Sequence, residues 1–560
     1  MELELATSLM AKRLVVEPPT FSLYFFFNLF STLFVWVIAL IKLRRNTYIL
    51  ARLSFCLAVL ISLLFMLPLV IFSQRLESSL SEPWKYALAV NGAAMLLMSW
   101  VYLSRHFDVF ASGSFSPPKT SQIHLITGVL SIFLVWAYFF KVPWNCSGIY
   151  ALLYDPTYTL LARELVGKLA GSSYATYSLG SYAGAVAPVF IFFSIWMVGK
   201  YFSSRKFLAV LICILCGFLA IAALLVSGTK GFLMPTTLML ASAFYFYLKT
   251  WRSRLLSFAM TALFFYCSLA TFQLLKDRET YAVKGRYDFA TCAVKINACE
   301  SSLSLLESMK GQTHPLGLPF SAVGPIQSRL KCLCAEGESK SCSSTVQVEK
   351  RTVQVEKSTV QVEKNKMQVE KSTENYAMSK ATLSVNLEVL SSQLNSFTKA
   401  ILYRIFVVPF QVSVWHFMYA ESEAVDGVKT LPFARRLTGS SLNMPEIVYQ
   451  KYGSIYWEGD KTTTSSAPTS FIWAYTAYLG WVGFCIALFS ILSLDIFLSA
   501  IAKNSGRDIL PIFIGTISIL SVNFLASDFV TTLVSHGGIA GILILLIYAA
   551  LIKLRPGSRA

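Results

Sequence analysis

The feature that most constrains this chain is a succession of apolar runs, each about the length needed to cross a lipid bilayer. Spanning a hydrocarbon core as a helix takes roughly 20 apolar residues. Such runs lie near 20–42, 52–73, 84–103, 121–140, 178–199, 207–227, 231–249, 255–275, 470–499, 509–526 and 533–552. In lipid every backbone N–H and C=O must be satisfied within the protein, so uninterrupted runs of this kind become helices. The expected fold is an all-α polytopic membrane protein of about 11 transmembrane helices with a large loop on one side. Composition agrees: 14% of residues are charged, against about 25% in soluble domains.

The loops give a separate check. Lys42, Arg44, Arg45 and Arg52 fill the first turn; Arg105 and Lys119 follow two spans later, then Lys200, Arg205 and Lys206, then Lys249, Arg252 and Arg254. The pattern resumes with Lys503 and Arg507 and ends with Lys553, Arg555 and Arg559, while the alternate short loops hold only Arg75 and Lys230. Basic loops stay in the cytoplasm, which places the N-terminus outside and the C-terminus in the cytoplasm. The net charge of +18 is accounted for by orientation, and no nucleic-acid partner is expected. The acidic start and the length of the first apolar run argue against a cleavable signal peptide.

Three regions result: 1–275 with eight spans and an outer loop at 141–177, a large outer loop at 276–469, and 470–560 with three spans. Phe397 to Tyr419 is apolar but holds Arg404, Pro409, Gln411 and His416, all awkward at mid-bilayer. Counting it as a span would also invert the basic tail. It reads as an interfacial or re-entrant helix over 397–419.

The large loop is nearly charge-balanced, with 23 basic and 19 acidic residues. Within it, Thr-Val-Gln-Val-Glu-Lys begins at Thr345, Thr352 and Thr359 and degenerates to a last copy ending at Lys371. On a helix the paired valines make two stripes rather than a coiled-coil seam; on a strand an odd period flips faces at each repeat. The segment 345–371 reads as a tolerated insertion, with a spacer or partner-binding rod as the alternative. Cys146, Cys292, Cys299, Cys332, Cys334 and Cys342 all fall outside by this topology. An even number in an oxidising compartment is compatible with disulfides; free thiols and a metal site are the alternatives, and pairing is left open.

Chemistry is expected at the outer rim. Ser227-Gly228-Thr229-Lys230-Gly231 is a short outward turn with a lone lysine, suited to a lipid-linked phosphate or simply snorkelling. Arg278, Arg286, Arg404, Arg435 and Arg436 share that side, and arginine matches phosphate oxygens in a fork. Lys230, Arg404 and Arg436 are the pyrophosphate candidates. A base must lie within hydrogen-bond reach of the hydroxyl it activates. His416, Glu421 and Asp426 lead that group, with Glu423, Glu446, Glu458, Asp460, Asp528 and His536 behind them; any one alone reads as a solvated loop residue. The hydroxyl run containing Thr464, Ser465 and Ser466, together with Tyr456, Trp457 and Trp473, could hydrogen-bond and stack a sugar. Two glycines three apart, Gly480 and Gly483, suit close helix packing.

Taken together, Ser227–Gly231, Ala467-Pro468-Thr469-Ser470-Phe471 and Gly480-Trp481-Val482-Gly483 resemble the Wzy-type O-antigen polymerases. One departure is Trp473-Ala474, where many relatives carry a Gly-Glu pair. The resemblance implies a glycosyltransferase of the bacterial inner membrane acting in lipopolysaccharide biosynthesis. Its substrate would be an undecaprenyl-pyrophosphate-linked oligosaccharide, with membrane lipids around it and a chain-length regulator as candidate protein partner. No cofactor or metal is demanded, because lysine and arginine can carry the charge of the leaving pyrophosphate. An O-antigen ligase is the nearest rival, but its outer His followed by Asn, Ser or Gln is missing: the histidines here read His314-Pro315, His416-Phe417 and His536-Gly537. A polysaccharide flippase or exporter, or a non-catalytic membrane protein, is the rival from another class.

Overall fold

The computed structural model describes residues 22–73, 76–77, 80–104, 132–133, 136, 138–140, 142–154, 158, 162, 165, 186–203, 205–225, 233–248, 250–277, 288–296, 299–308, 320–336, 403–423, 425, 427–430, 443–453, 467–504, 510–534 and 536–553. Among them regular structure is entirely helical. Among the described residues four helices are long and apolar enough to cross a membrane: Leu23–Arg45 (α1), Leu53–Ile71 (α2), Pro83–Leu103 (α3) and Phe471–Lys503. Shorter apolar helices accompany them at Ala187–Val198, Phe207–Ile221, Ile512–Ala526 and Gly538–Ile547. The expected span 121–140 falls largely outside the described residues.

Local sequence explains the ends. Ser22 caps α1 by accepting from Phe25 N–H at 3.2 Å, and Lys42, Arg44 and Arg45 lie in its last turn, where cations suit the helix dipole. One face of α1 is bare hydrocarbon, with Leu23, Phe30, Val37 and Leu40 all more than half exposed. The opposite face carries buried Asn28, which accepts from Asn91 Nδ2 of α3 at 2.6 Å. Buried amides hydrogen-bonding between helices are the means of association expected when burying apolar surface offers little. In α2 a π-turn at Ser62–Met66 precedes Pro68, whose missing N–H breaks the regular ladder.

A buried ion pair ties the N-terminal helices to the C-terminal ones. The guanidinium of Arg52 meets Asp495 Oδ2 at 2.7 and 3.1 Å and Ser104 Oγ at 2.8 Å. Asp495 also accepts from Ser54 N–H and Trp100 Nε1–H, each at 3.1 Å. Both carboxylate oxygens are therefore satisfied, which is what makes a buried pair tolerable. We call this the Arg52 end of the bundle.

The contacts also order the helices. The carboxyl-terminal helix Phe471–Asn504 packs Phe484 on Gly92 and Asp495 on Trp100, so it runs with α3. It meets α2 the other way, Trp473 on Phe65 and Asp495 on Ser54. Both senses match the alternation of basic loops. Leu233–Tyr247 and Leu510–Ala526 differ. Met239 lies against Gly515 and Ser242 against Ser518, an order that suits parallel helices where the alternation expects antiparallel ones.

Away from the apolar helices, Phe289–Lys295, Cys299–Ser308 and Phe320–Glu336 form a small helical unit. Asp288 caps the first through Thr291 N–H and forms an ion pair with Arg329 of the third. Disulfides join Cys299 to Cys334 and Cys146 to Cys292, and Cys332 is disulfide-bonded as well. The helix Phe289–Lys295 is thus stapled to the turn Trp144–Cys146. The repeat segment 345–371 and Cys342 lie outside the described residues.

Candidate functional site

At the end of the bundle opposite Arg52, five pieces of chain converge on a single helix, Val408–Ser422. Pro409 opens it, as a residue without an N–H does at a first helical turn. The sequence offers an interfacial or a re-entrant helix over 397–419, of which residues 403–419 are described. Residues Phe410 through Phe417 are all buried, whereas an interfacial helix keeps one face in water. Tyr86 of α3 explains part of this burial: its hydroxyl shares a hydrogen bond with Ser413 Oγ at 2.6 Å, and its ring meets Phe417 at 4.9 Å.

His416 lies at the centre of the junction. Its Nε2 is 2.9 Å from the Ala467 carbonyl and its Nδ1 is 2.6 Å from the Tyr478 hydroxyl. A carbonyl only accepts, so Nε2 carries the proton; Nδ1 of the neutral ring then accepts from Tyr478. Burial pushes its pKa down, opposed by the bond to Ala467. Both ring nitrogens are engaged, so His416 ties Val408–Ser422 to the segment before Phe471 and to Tyr478.

Glu421 has one oxygen engaged. Its Oε2 accepts from Ser81 N–H at 3.1 Å and Ser81 Oγ at 2.7 Å, while Oε1 is buried with no hydrogen-bond partner. Next to it Glu423 pairs with Lys451 at 2.9 Å. Lys451 also donates to Ser422 Oγ at 2.9 Å and lies 5.2 and 5.7 Å from the ring centroids of Tyr419 and Tyr452. Partial burial works against the lysine's charge, but Glu423 and the two tyrosines outweigh it and raise its pKa. The turn carrying Lys451, a π-turn at Tyr449–Gly453, is tied to the junction by Ala467 N–H donating to Pro445 O at 2.8 Å.

The segment Ala467–Phe471 is knitted into the same place from the other side. Ser470 Oγ donates to Phe524 O at 2.8 Å, and Phe471 N–H to Ser527 O at 3.3 Å. The adjoining Asp528 caps Phe529–Val534 through Val530 and Thr531 N–H and accepts from the Tyr475 hydroxyl at 3.2 Å. Burial raises the Asp528 carboxyl above its usual range, partly offset by those donors. His536 Nε2 lies 3.3 Å from Ser527 Oγ, and burial lowers its pKa.

The other expected site residues divide three ways. Trp473 is fully buried with its ring on Phe65, so it packs the junction instead of offering a face to a sugar, although its Nε1 has no acceptor. Arg404 is exposed on the helical turn 403–406 that leads into Val408–Ser422 and makes no ion pair with a described residue. Lys230, Asp426, Arg436, Thr464, Ser465 and Ser466 lie outside the described residues. Sequence reasoning passed over Ser81 and Lys451. A single lysine among Tyr449, Tyr452 and Tyr456 is a legible cation–π pattern; nothing local marks Ser81.

No family model matches the sequence, and neither a curated protein nor a solved structure is similar to it.

Proposed function

We propose that this chain is a polysaccharide polymerase of the bacterial inner membrane with about 11 spans, an outer N-terminus and a cytoplasmic C-terminus. It moves a glycan chain from undecaprenyl pyrophosphate to the terminal sugar of a new lipid-linked repeat unit. One observation carries the reading. The Ala467–Phe471 segment, which bears the resemblance to O-antigen polymerases, is bonded on one side to His416 and Pro445 and on the other to Phe524 and Ser527. The junction so formed is ringed by ionisable groups at one end of an apolar bundle.

In that site the acceptor hydroxyl oxygen forms a bond to the anomeric carbon of the chain. The bond from that carbon to the pyrophosphate oxygen breaks, and its electron pair leaves with undecaprenyl pyrophosphate. Glu421 takes the hydroxyl proton, since one of its oxygens is fixed by Ser81 and the other is unengaged. The disulfides Cys146–Cys292 and Cys299–Cys334 support an oxidising, non-cytoplasmic location for both large loops. Among the described residues, Cys56, Cys213, Cys216 and Cys485, which lie outside these disulfides, fall in the apolar helices.

Deleting the gene and separating the surface polysaccharide on a gel tests the reading. Loss of a polymerase leaves core carrying one repeat unit; bare core points to a ligase or flippase instead.

A further inference from the structure

The helix Phe320–Glu336 carries two cysteines two residues apart, and both are disulfide-bonded. With 3.6 residues to a helical turn, such a pair leaves the axis in directions roughly 200° apart. Cys334 reaches back to Cys299 of the preceding helix. Cys332 therefore addresses a different piece of chain.

Counting thiols narrows its partner. The chain has 11 cysteines. Four are used in Cys146–Cys292 and Cys299–Cys334. Cys56, Cys213, Cys216 and Cys485 remain thiols and sit in the apolar helices. Cys267 lies inside the apolar helix Trp251–Asp277. Phe320–Glu336 carries Arg329, Lys331 and Glu336 and packs on the other extramembrane helices instead. The cysteine left over is Cys342.

Chain length permits the bond. Cys342 follows Glu336, the last residue of the helix, by six positions. Six extended residues reach about 20 Å, whereas Cys332 lies about 6 Å back along the helix from Glu336. A disulfide needs Cα atoms about 4.4–6.8 Å apart, so the chain has slack to turn and return. Gly337 stands where a glycine lets a chain reverse at a helix end.

We propose that Cys332 and Cys342 form a third disulfide, which closes the chain onto its own helix just before the repeats begin at Thr345. Two thiols lose two protons and two electrons as the bond forms. A protein disulfide of the outer compartment takes them up and is reduced to its dithiol. The consequence is a fixed neck: the Thr-Val-Gln-Val-Glu-Lys repeats leave from a crosslinked point, so a change in copy number does not reach the helices at 289–336. All six outer cysteines are then paired, and none is left to hold a metal or to react as a thiol. This inference does not depend on the polymerase reading.

The test is peptide mapping of the full-length protein, alkylated as it is extracted into detergent and digested with trypsin without reductant. Cys299 falls in peptide 296–310, Cys332 and Cys334 in 332–340, and Cys342 in 341–350. These three peptides are expected as a single mass that reductant splits into three. Chymotryptic cleavage after Leu333 then separates the bonds, and is expected to give Cys332 with Cys342 and Cys334 with Cys299. Peptide 341–350 recovered alone with Cys342 alkylated, or as a dimer of itself, overturns the proposal, and so does the exchanged pairing. Cys342→Ser is expected to make Cys332 alkylatable while Cys299–Cys334 persists; a Cys332 that stays blocked in that monomeric variant also overturns it.

Discussion

Arg52 and Asp495 are 443 residues apart in sequence, and neither reveals its role there. Arg52 reads as one more basic residue in a cytoplasmic turn, and Asp495 as a stray charge late in an apolar run. Together they form a buried pair with 3% and 0% side-chain exposure. Removing one partner leaves the other charged and alone, at a cost of about 3–5 kcal/mol. Arg52→Ala or Asp495→Asn is therefore expected to lower the thermal unfolding midpoint in detergent sharply. The double substitution Arg52→Met with Asp495→Leu is expected to recover most of it, and a double variant as unstable as the single ones would sink the argument. Asp528 has the opposite character. Its carboxyl pKa is raised by burial, so the fold favours the protonated form. That contribution to stability is complete below the ordinary carboxylate pKa and is lost as pH rises through the raised value. Asp528→Asn is expected to flatten the stability-versus-pH curve across that window, as followed by thermal unfolding at a series of pH values.

At the scale of elements, the decisive feature is the break in the helix Phe471–Asn504. Gly480 has φ +63° and ψ −147°, a backbone region that costs a side-chain-bearing residue about 1–3 kcal/mol. Space is not the obstacle, since a Cβ there would meet nothing within 4 Å; the strain is conformational. Gly483 is constrained differently, because a Cβ would overlap the Tyr475 carbonyl oxygen, and Gly427 likewise faces the carbonyl of Tyr478. The glycines thus allow a sharp bend and close approach in the short stretch that carries Tyr475 and Tyr478. Gly480→Ala is expected to destabilise the protein by about 1–3 kcal/mol and to reduce activity by moving Tyr478 away from His416. A variant that unfolds and turns over like the wild type would show that the bend is not needed.

At the scale of the molecule, two crosslinks define the extramembrane part. Cys146 and Cys292 are 146 residues apart in sequence, and their bond joins the turn Trp144–Cys146 to the helix Phe289–Lys295. Proteolysis without reductant is expected to release peptides containing Cys146 and Cys292 as a single mass, which reductant splits. Separate masses without reductant would place these thiols in a reducing compartment. The side on which Lys230 lies is the second question at this scale. Several basic loops place it outside, while two local contacts between Leu233–Tyr247 and Leu510–Ala526 order that helix the other way. Alternation rests on many charges, yet the two helices pack closely over an extended contact, so the two signals disagree outright. Lys230→Cys is expected to react with a membrane-impermeant thiol reagent added to intact spheroplasts. Reaction only after permeabilisation would invert that hairpin.

By itself the sequence determined the helical class and the apolar segments, and it singled out Ala467–Phe471, because each is a local property: run length, loop charge, a short motif. It also marked Glu421 and His416, though it could not rank them. Only the tertiary structure showed what each of them touches, Ser81 for Glu421 and Ala467 with Tyr478 for His416. The same holds for Trp473, which composition offered as a sugar platform and packing on Phe65 withdrew, and for Val408–Ser422, whose weak amphipathicity left a surface or a buried setting open. The Arg52–Asp495 pair and the Ser81–Glu421 bonds join residues hundreds apart in the chain. No periodicity encodes such pairs, because they exist only once the helices have chosen their neighbours.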